Sequence, residues 1–336
     1  MSIIVTRSYP RAALVGNPSD GYFGKTLAFV FSNFHAEVRL TESERLEILP
    51  NDRDKLVFAS MAQLVGDIQA YGYYGGIRLL KAAIKRFHEY CLSQAIAPDN
   101  RNFTLGYGTT IPQRLGLAGS SAIVTACMRG LMQFYGVSIP KPQLANLILS
   151  VEKDELLIGA GLQDRVAQVY QGLVYMDFDK TLMERQGYGD YVNLDIKLLP
   201  NLYLAYRGDL AEGSETTHND LRERYGRGDT DVVNAMAECA DLAVQAKALL
   251  EAGRGGEIAG LVDRNFDVRK RILKISGGNL RMVEAARSVG ASANFTGSGG
   301  AIIGTYTDDA MYRRLDAALS AIGIKVLKPD LVGAAG

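Results

Sequence analysis

Three stretches of this chain concentrate residue types able to handle a phosphate and a hydroxyl group. The first is Ile111-Pro112-Gln113-Arg114-Leu115-Gly116-Leu117-Ala118-Gly119-Ser120-Ser121-Ala122, a glycine-rich turn feeding a helix that opens on two serines. Glycines let backbone N–H groups approach an anion closely, and the first turn of a helix adds the positive end of its dipole. Serines there cap the helix or ligate Mg²⁺. Turn chemistry alone leaves a phosphate cradle and an ordinary capped helix start level with each other. The second stretch is Asn294-Phe295-Thr296-Gly297-Ser298-Gly299-Gly300-Ala301, between two apolar runs. By itself it reads as a tight hairpin with a bulge, and it is no dinucleotide fingerprint, because Ile302 stands where a third glycine is needed. The third signal is a pair of acids. Glu152 falls on a helix expected over 142–158, and Asp164 follows Gly-Ala-Gly-Leu-Gln at the start of the next helix. Mg²⁺ prefers oxygen ligands such as the first, and a carboxylate like the second can accept a proton from a hydroxyl. Taken singly, acids in such places are solvated faces or helix caps.

The elements that must position these groups follow from periodicity. Short apolar or alternating runs predict strands at 3–6, 12–15, 27–31, 35–40 and 46–49, and a strand at 102–107. Ile77, Leu80, Ile84 and Phe87 share one helical face between Gly76 and Cys91. Helices are expected at 120–135, 142–158 and 163–170, then at 231–252, 257–274, 279–289 and 308–321. Strands are expected at 173–178, 192–198, 202–206, 293–306 (broken by the glycine turn) and 324–327. The polar stretch 179–191 and Leu199-Pro200-Asn201 suggest a boundary, giving domains 1–198 and 199–336. β-rich and α-rich stretches in mixed order predict two α+β domains rather than a doubly wound sheet. Ser19-Asp20-Gly21-Tyr22-Phe23-Gly24-Lys25-Thr26 is one residue from a Walker A loop, but the apolar run after it predicts a strand where a P-loop opens a helix. Lys25 is expected at the surface.

Composition narrows the function classes. The chain has 336 residues, 47% hydrophobic and 22% charged, enough for roughly two domains at about 150 residues each. Lys+Arg and Asp+Glu both number 37, and zero net charge argues against nucleic-acid or polybasic membrane partners. Three scattered cysteines and three histidines show neither a CxxC pair nor an HExxH spacing, so a disulfide framework and a thiolate zinc site are not expected. The N-terminus lacks the apolar core of a signal peptide, and no run reaches the ~20 apolar residues of a membrane span. The expectation is a cytoplasmic protein acting on small molecules.

Together the motifs resemble those of the GHMP kinase family. Arg11-Ala-Ala-Leu-Val-Gly16-Asn17-Pro18-Ser19-Asp20 is similar to its first motif, residues 112–122 to its phosphate-binding second, and 295–301 to its third, in the family's order and spacing over essentially the whole chain. The glucuronokinase branch is matched more closely. Gly16-Asn-Pro-Ser-Asp20, Tyr73-Tyr74-Gly75-Gly76-Ile77-Arg78-Leu79-Leu80, Gly161-Leu-Gln-Asp-Arg-Val-Ala-Gln-Val-Tyr170 and Asn294-Phe-Thr-Gly-Ser-Gly-Gly300 carry that likeness. Asn17-Pro18 departs from the Glu-His of galactokinases, which counts against galactose as substrate. The resemblance implies an N-terminal domain like ribosomal protein S5 domain 2 and a C-terminal ferredoxin-like domain. It implies ATP and Mg²⁺, a sugar acid as the acceptor, and transfer to the anomeric hydroxyl of D-glucuronate. ATP would be bound by Pro112, Gly116, Leu117, Ala118, Gly119, Ser120 and Ser121, and Mg²⁺ by Ser121 and Glu152. Asp164 would position or deprotonate the sugar hydroxyl, with Arg11 beside it neutralising the transferred phosphoryl. Asn17, Asp20, Thr296, Gly297, Ser298, Gly299 and Gly300 would contact the substrate. A uronate also needs a cation for its carboxylate, and Arg165 and Arg78 are the candidates, ahead of Arg7 and Arg114. Tyr71, Tyr73 and Tyr74 either stack on the sugar ring or pack a loop. The alternatives are a related kinase of galacturonate, arabinose or a heptose phosphate, or a non-catalytic ATP- or sugar-binding regulator. The assembly expected is a monomer or homodimer.

Overall fold

The computed structural model describes residues 3–52, 54, 57–71, 75–208 and 214–335. Its strands are β1 (Ile3–Ser8), β2 (Arg11–Val15), β3 (Lys25–Val30), β4 (Ala36–Ser43), β5 (Glu47–Ile48), β6 (Asn102–Thr109), β7 (Leu173–Asp177), β8 (Asp190–Leu194), β9 (Leu202–Tyr206), β10 (Asn294–Phe295), β11 (Ala301–Thr305) and β12 (Lys325–Leu327). Its helices are α1 (Met61–Tyr71), α2 (Gly76–Ser93), α3 (Gly119–Tyr135), α4 (Lys141–Ser150), α5 (Leu162–Tyr170), α6 (Lys180–Gln186), α7 (Ser214–Gly226), α8 (Thr230–Glu251), α9 (Ala259–Ile272), α10 (Gly277–Ser288) and α11 (Asp309–Ser320). No helix among the described residues is long and apolar enough to cross a membrane.

The chain divides into two compact units that are discontinuous in sequence. One comprises Met1–Pro10, Phe34–Gln113 and Gly119–Ala160, the other Arg11–Asn33, Arg114–Ala118 and Gly161–Gly336. That division is of a different kind from a cut at 198/199, which stays a proposal about functional domains.

The first unit is built on a sheet in the order β1-β4-β6-β5, antiparallel except for the β5–β6 pair. β4 shows the alternation of a half-buried strand: Ala36, Val38 and Leu40 face the core while Glu37 and Arg39 point outward. α3 packs on β1, β4, α2 and α4, which explains why its residues from Ser121 to Met128 are all buried. Phe103 meets Phe134 edge to face at 5.4 Å, fixing α3 to the sheet. The helix expected over 142–158 is shorter: α4 ends at Ser150, and the backbone widens into one π-helical turn, Val151–Glu155. Glu152 is on that turn and is buried.

The second unit holds two antiparallel sheets, β2-β3-β7-β8 and β10-β11-β9-β12. Every residue of β2 is buried, Arg11 included. α8 packs on β2 and β3, and α9 on β2, β10 and β11. A core of Tyr203, Phe266, Met282, Phe295, Leu315, Leu319 and Ile324 fills the space under the second sheet. The polar stretch 179–191 carries a short helix and the start of a strand. Asp179 caps α6 by accepting from the Leu182 N–H, Gly187 ends it in a left-handed conformation, and β8 follows. α7, which no periodicity announced, lies beyond it. The Walker-like stretch is a short turn over Ser19–Tyr22 followed by β3, and Lys25 pairs with Asp177 of the neighbouring strand.

Candidate active site

The second unit gathers the charged groups. Asp164 sits in the first turn of α5, whose N-cap is Gly161. Arg11 reaches it from β2: its Nε donates to Oδ1 at 2.9 Å and its Nη2 to the same oxygen. Arg165 donates from Nη1 to the other carboxylate oxygen at 3.2 Å and to the Gly161 carbonyl at 2.9 Å. Two guanidiniums thus fix both oxygens of Asp164. The arginine side chains are 5% and 3% exposed, while the Asp164 side chain is 23% exposed.

Arg11 also holds the loops. Its Nη1 donates to the Thr296 carbonyl and, at 3.3 Å, to the Gly116 carbonyl. The two glycine loops touch backbone to backbone. Gly116 has φ +64°, and a Cβ there would lie 2.7 Å from the Ser298 nitrogen. A Cβ on Gly297 would lie 2.4 Å from the Gly116 oxygen. Only glycine allows this approach. The hydroxyl of Thr296 donates to the Gly116 carbonyl at 3.4 Å, and the Gly300 N–H to Asn279 Oδ1 at 3.1 Å. The Leu117 carbonyl accepts from the Arg11 N–H at 3.2 Å. The Ala118 carbonyl accepts from Gln168 of α5 at 2.8 Å.

Asp20 lies in the turn before β3, next to Gly161: a Cβ on that glycine would be 2.9 Å from Asp20 Oδ2. Loss of water around its carboxyl pushes its pKa up to about 7, helped by the negative charge of Asp164, while Arg11 and, more weakly, Arg269 pull it down. Asn17 is wholly engaged with protein. Its amide donates to the Phe295 carbonyl at 3.0 Å and accepts from Asn294 at 3.2 Å, so it ties the first motif to the third. Ser298 is partly exposed and Gly299 is buried, with φ +141°.

Two further residues of this cluster escaped the sequence reading. Asn265 and Arg269 lie one turn apart on α9. Asn265 accepts from the Gly16 N–H at 2.5 Å and donates to the Asn17 carbonyl at 2.8 Å. Arg269 donates to the Gly297 carbonyl at 2.6 Å and lies over the Phe295 ring at 5.1 Å. The available signal was polar residues on a buried stripe, since Asn265 and Arg269 share it with Val262, Phe266 and Ile272.

The first unit carries the remaining candidates. Gly119 and Ser120 open α3, Ser120 is exposed, and Pro112 is partly buried. Ser121 and Glu152 are buried, at 0% and 1% exposure. Arg78 is exposed and donates to the Leu156 carbonyl at 3.4 Å. Arg7 is taken up by an ion pair with Glu37 at 2.7 Å. Arg114 is an exposed loop residue of the second unit. Tyr73, Tyr74 and the side chain of Tyr71 lie outside the described residues.

Residues 78–172 match the family described as GHMP kinases N terminal domain. The chain is 44% identical over 303 residues to Glucuronokinase 1 of Arabidopsis thaliana, covering 88% of this chain and 83% of that one. It is 45% identical over 304 residues to Probable glucuronokinase 2 of the same plant, covering 88% and 82%. Among solved structures, the galactokinase of Lactococcus lactis complexed with galactose superposes with a TM-score of 0.78 at 14% identity, over 99% of this chain and 95% of that one. Such a likeness speaks for the fold, and the identity to the plant proteins for the family: this chain belongs to the GHMP kinases.

Proposed function

We propose that the protein is an ATP-dependent sugar kinase that transfers the γ-phosphoryl of ATP to the anomeric hydroxyl of D-glucuronate, giving glucuronate 1-phosphate and ADP. The 44–45% identity to the Arabidopsis proteins over 88% of the chain supports the substrate. The observation that carries the chemistry is the partly exposed Asp164 carboxylate held at both oxygens by buried arginines.

Phosphoryl transfer through a loose transition state asks the protein for positioning and charge neutralisation. Asp164 accepts the hydrogen bond of the anomeric hydroxyl and turns that oxygen toward the phosphorus. As the new O–P bond forms and the bond to ADP breaks, the hydroxyl proton passes to Asp164. Arg11 supplies positive charge beside that site. Gly116, Leu117 and Ala118, with Gly119, Ser120 and Ser121 at the start of α3, offer backbone N–H groups to the phosphates, and Pro112 shapes the entry of that loop. Asp20 and the loop Thr296–Gly300, with Asn17 bracing both, frame the sugar.

The donor set fits Mg²⁺. Glu152 and Ser121 offer a buried carboxylate and a buried hydroxyl, hard oxygen donors of the kind that ion takes. Among the described residues no group of three or more His, Cys, Asp or Glu that could hold a metal ion is gathered. Mg²⁺ held by Ser121 and Glu152 would neutralise charge on the phosphates.

The test is ³¹P NMR of the purified protein with Mg-ATP and D-glucuronate, with galacturonate, galactose and glucose run alongside. An anomeric phosphate from glucuronate alone is expected. Product from another sugar only would keep the kinase and discard the uronate.

A further inference from the structure

We propose that Asn265 is a positioning residue for the sugar: its buried carboxamide sets the place of the turn that carries Asp20, and so governs how the acceptor is bound. This rests on the reading above, in which Asp20 and the loop Thr296–Gly300 frame the sugar acid, and deepens it.

The first motif needs outside support where it leaves its sheet. β2 is paired with β3 as far as Val15, which stands opposite Leu27. Beyond it Gly16 takes φ +99° and lies so close to β3 that a Cβ would be 2.7 Å from the Thr26 Cα. The Gly16 N–H and the Asn17 carbonyl thus fall past the end of the ladder, in a part of the chain that is buried. Buried main-chain groups must find partners. Asn265, 0% exposed on α9, supplies both. Its Oδ1 accepts from the Gly16 N–H at 2.5 Å and its Nδ2 donates to the Asn17 carbonyl at 2.8 Å. A carboxamide carries an acceptor and donors as a peptide group does, so this side chain stands in for a strand that is not there.

From that grip the bonds run on to Asp20. The Gly16 carbonyl accepts from the Ser19 N–H at 2.9 Å. Ser19 Oγ donates to the Lys25 carbonyl at 3.0 Å and accepts from the Lys25 N–H at 3.1 Å. Asp20 is the next residue of the same short turn. Asn17 carries the constraint in the other direction. Its side chain donates to the Phe295 carbonyl and accepts from Asn294, which also donates to the Leu14 carbonyl at 3.2 Å. Three buried asparagines therefore lock the first motif to the strand that enters the third. Phe266, beside Asn265 on α9, meets the Phe295 ring edge to face at 5.2 Å and steadies the same junction. The loop 114–118 is held by other groups, since the Leu117 and Ala118 carbonyls accept from Arg11 and Gln168. Loss of Asn265 should accordingly disturb the acceptor side and spare ATP.

The test is steady-state kinetics and thermal melting of wild type, Asn265→Ala and Asn265→Asp with Mg-ATP and D-glucuronate. In Asn265→Ala the KM for glucuronate should rise about tenfold and kcat/KM for it fall about 10²-fold, the cost of a displacement near 1 Å, with the KM for ATP within about twofold of wild type. Asn265→Asp keeps the acceptor for Gly16 and loses the donor for Asn17, so the KM for glucuronate should rise at least about threefold. A purely structural role would lower Tm and the amount of active enzyme and leave both KM values at their wild-type levels, and that result overturns the proposal. An equal rise in the two KM values overturns it as well. If Asn265→Ala does not fold, Asn265→Asp decides by the same criteria. Wild type that neither phosphorylates D-glucuronate nor binds it by calorimetry refutes the uronate reading and this inference together. Wild type active on glucuronate, with the KM values unmoved in the variants, refutes this inference alone.

Discussion

Arg11 and Arg165 meet Asp164 with side chains 5% and 3% exposed, whereas Lys85 on α2 meets Glu89 and Glu155 with 54% of its side chain in solvent. The α2 cluster is largely local. Lys85 and Glu89 stand one helical turn apart, and Arg86 and Glu89 three residues apart. The Asp164 cluster joins segments from both ends of its unit, and its arginines satisfy carbonyls as well as carboxylates. In water, ion pairs such as those of α2 contribute little, because the solvent screens them and two long side chains must be ordered. Removed from water, a charge must be matched in full, and loss of one partner strands the other. Density of charge along the sequence therefore says little about function, and burial of charge says much.

The sharpest test of that contrast is Asp164→Asn. It keeps shape and removes the acceptor, so kcat should fall about 10³-fold with ATP affinity kept. A loss under tenfold in steady-state assays would refute the role given to Asp164. Next is Gly297→Ala, whose added carbon would meet the Gly116 oxygen at 2.4 Å and drive the two loops apart. A displacement near 1 Å costs on the order of 10²-fold in rate, and a crystal structure of the variant should show the loops separated.

Asp20→Asn sharpens the comparison through pH. The native carboxyl titrates near 7 against an ordinary value of 3.8, so between those limits the folded state binds more protons than the unfolded one. Stability of the wild type should then decline from about pH 4 to about pH 7 on account of this group. The variant should melt with the wild type near pH 4 and above it by several degrees at pH 8. A gap that is constant with pH would show that Asp20 is not held in its raised state. The smallest effect belongs to Lys85→Ala, which should move Tm by no more than about 1 °C in thermal melts. A larger drop would mean that the α2 pairs are not merely solvated.

How far the sequence foretold this site depends on how each residue announces itself. Gly116, Gly297 and Asp164 carry local marks, since glycines cluster where backbones must approach and an acid after Gly-Ala-Gly-Leu-Gln opens a helix. The α+β class followed from mixed periodicity. Glu152 was placed on an unbroken helix because nothing in Val-Glu-Lys-Asp-Glu distinguishes an α turn from a wider one. α6 was missed because a short, polar, fully unburied helix has no apolar period to detect. Arg269 was hidden among Arg264, Lys270 and Arg271 on the same helix, and only the buried stripe separates it from them. Its partner Gly297 lies 28 residues on, and contacts of that kind are decided by tertiary packing.

The fan of bonds from Arg11 bears on how the protein is made. One guanidinium joins segments 105, 153 and 285 residues away along the chain. Closures of such span are slow compared with helix formation, and each must wait for the sheet that presents its carbonyl or carboxylate. In a refolding time course, ellipticity should recover first and phosphotransfer last, with the Arg11 cluster closing at the end of assembly.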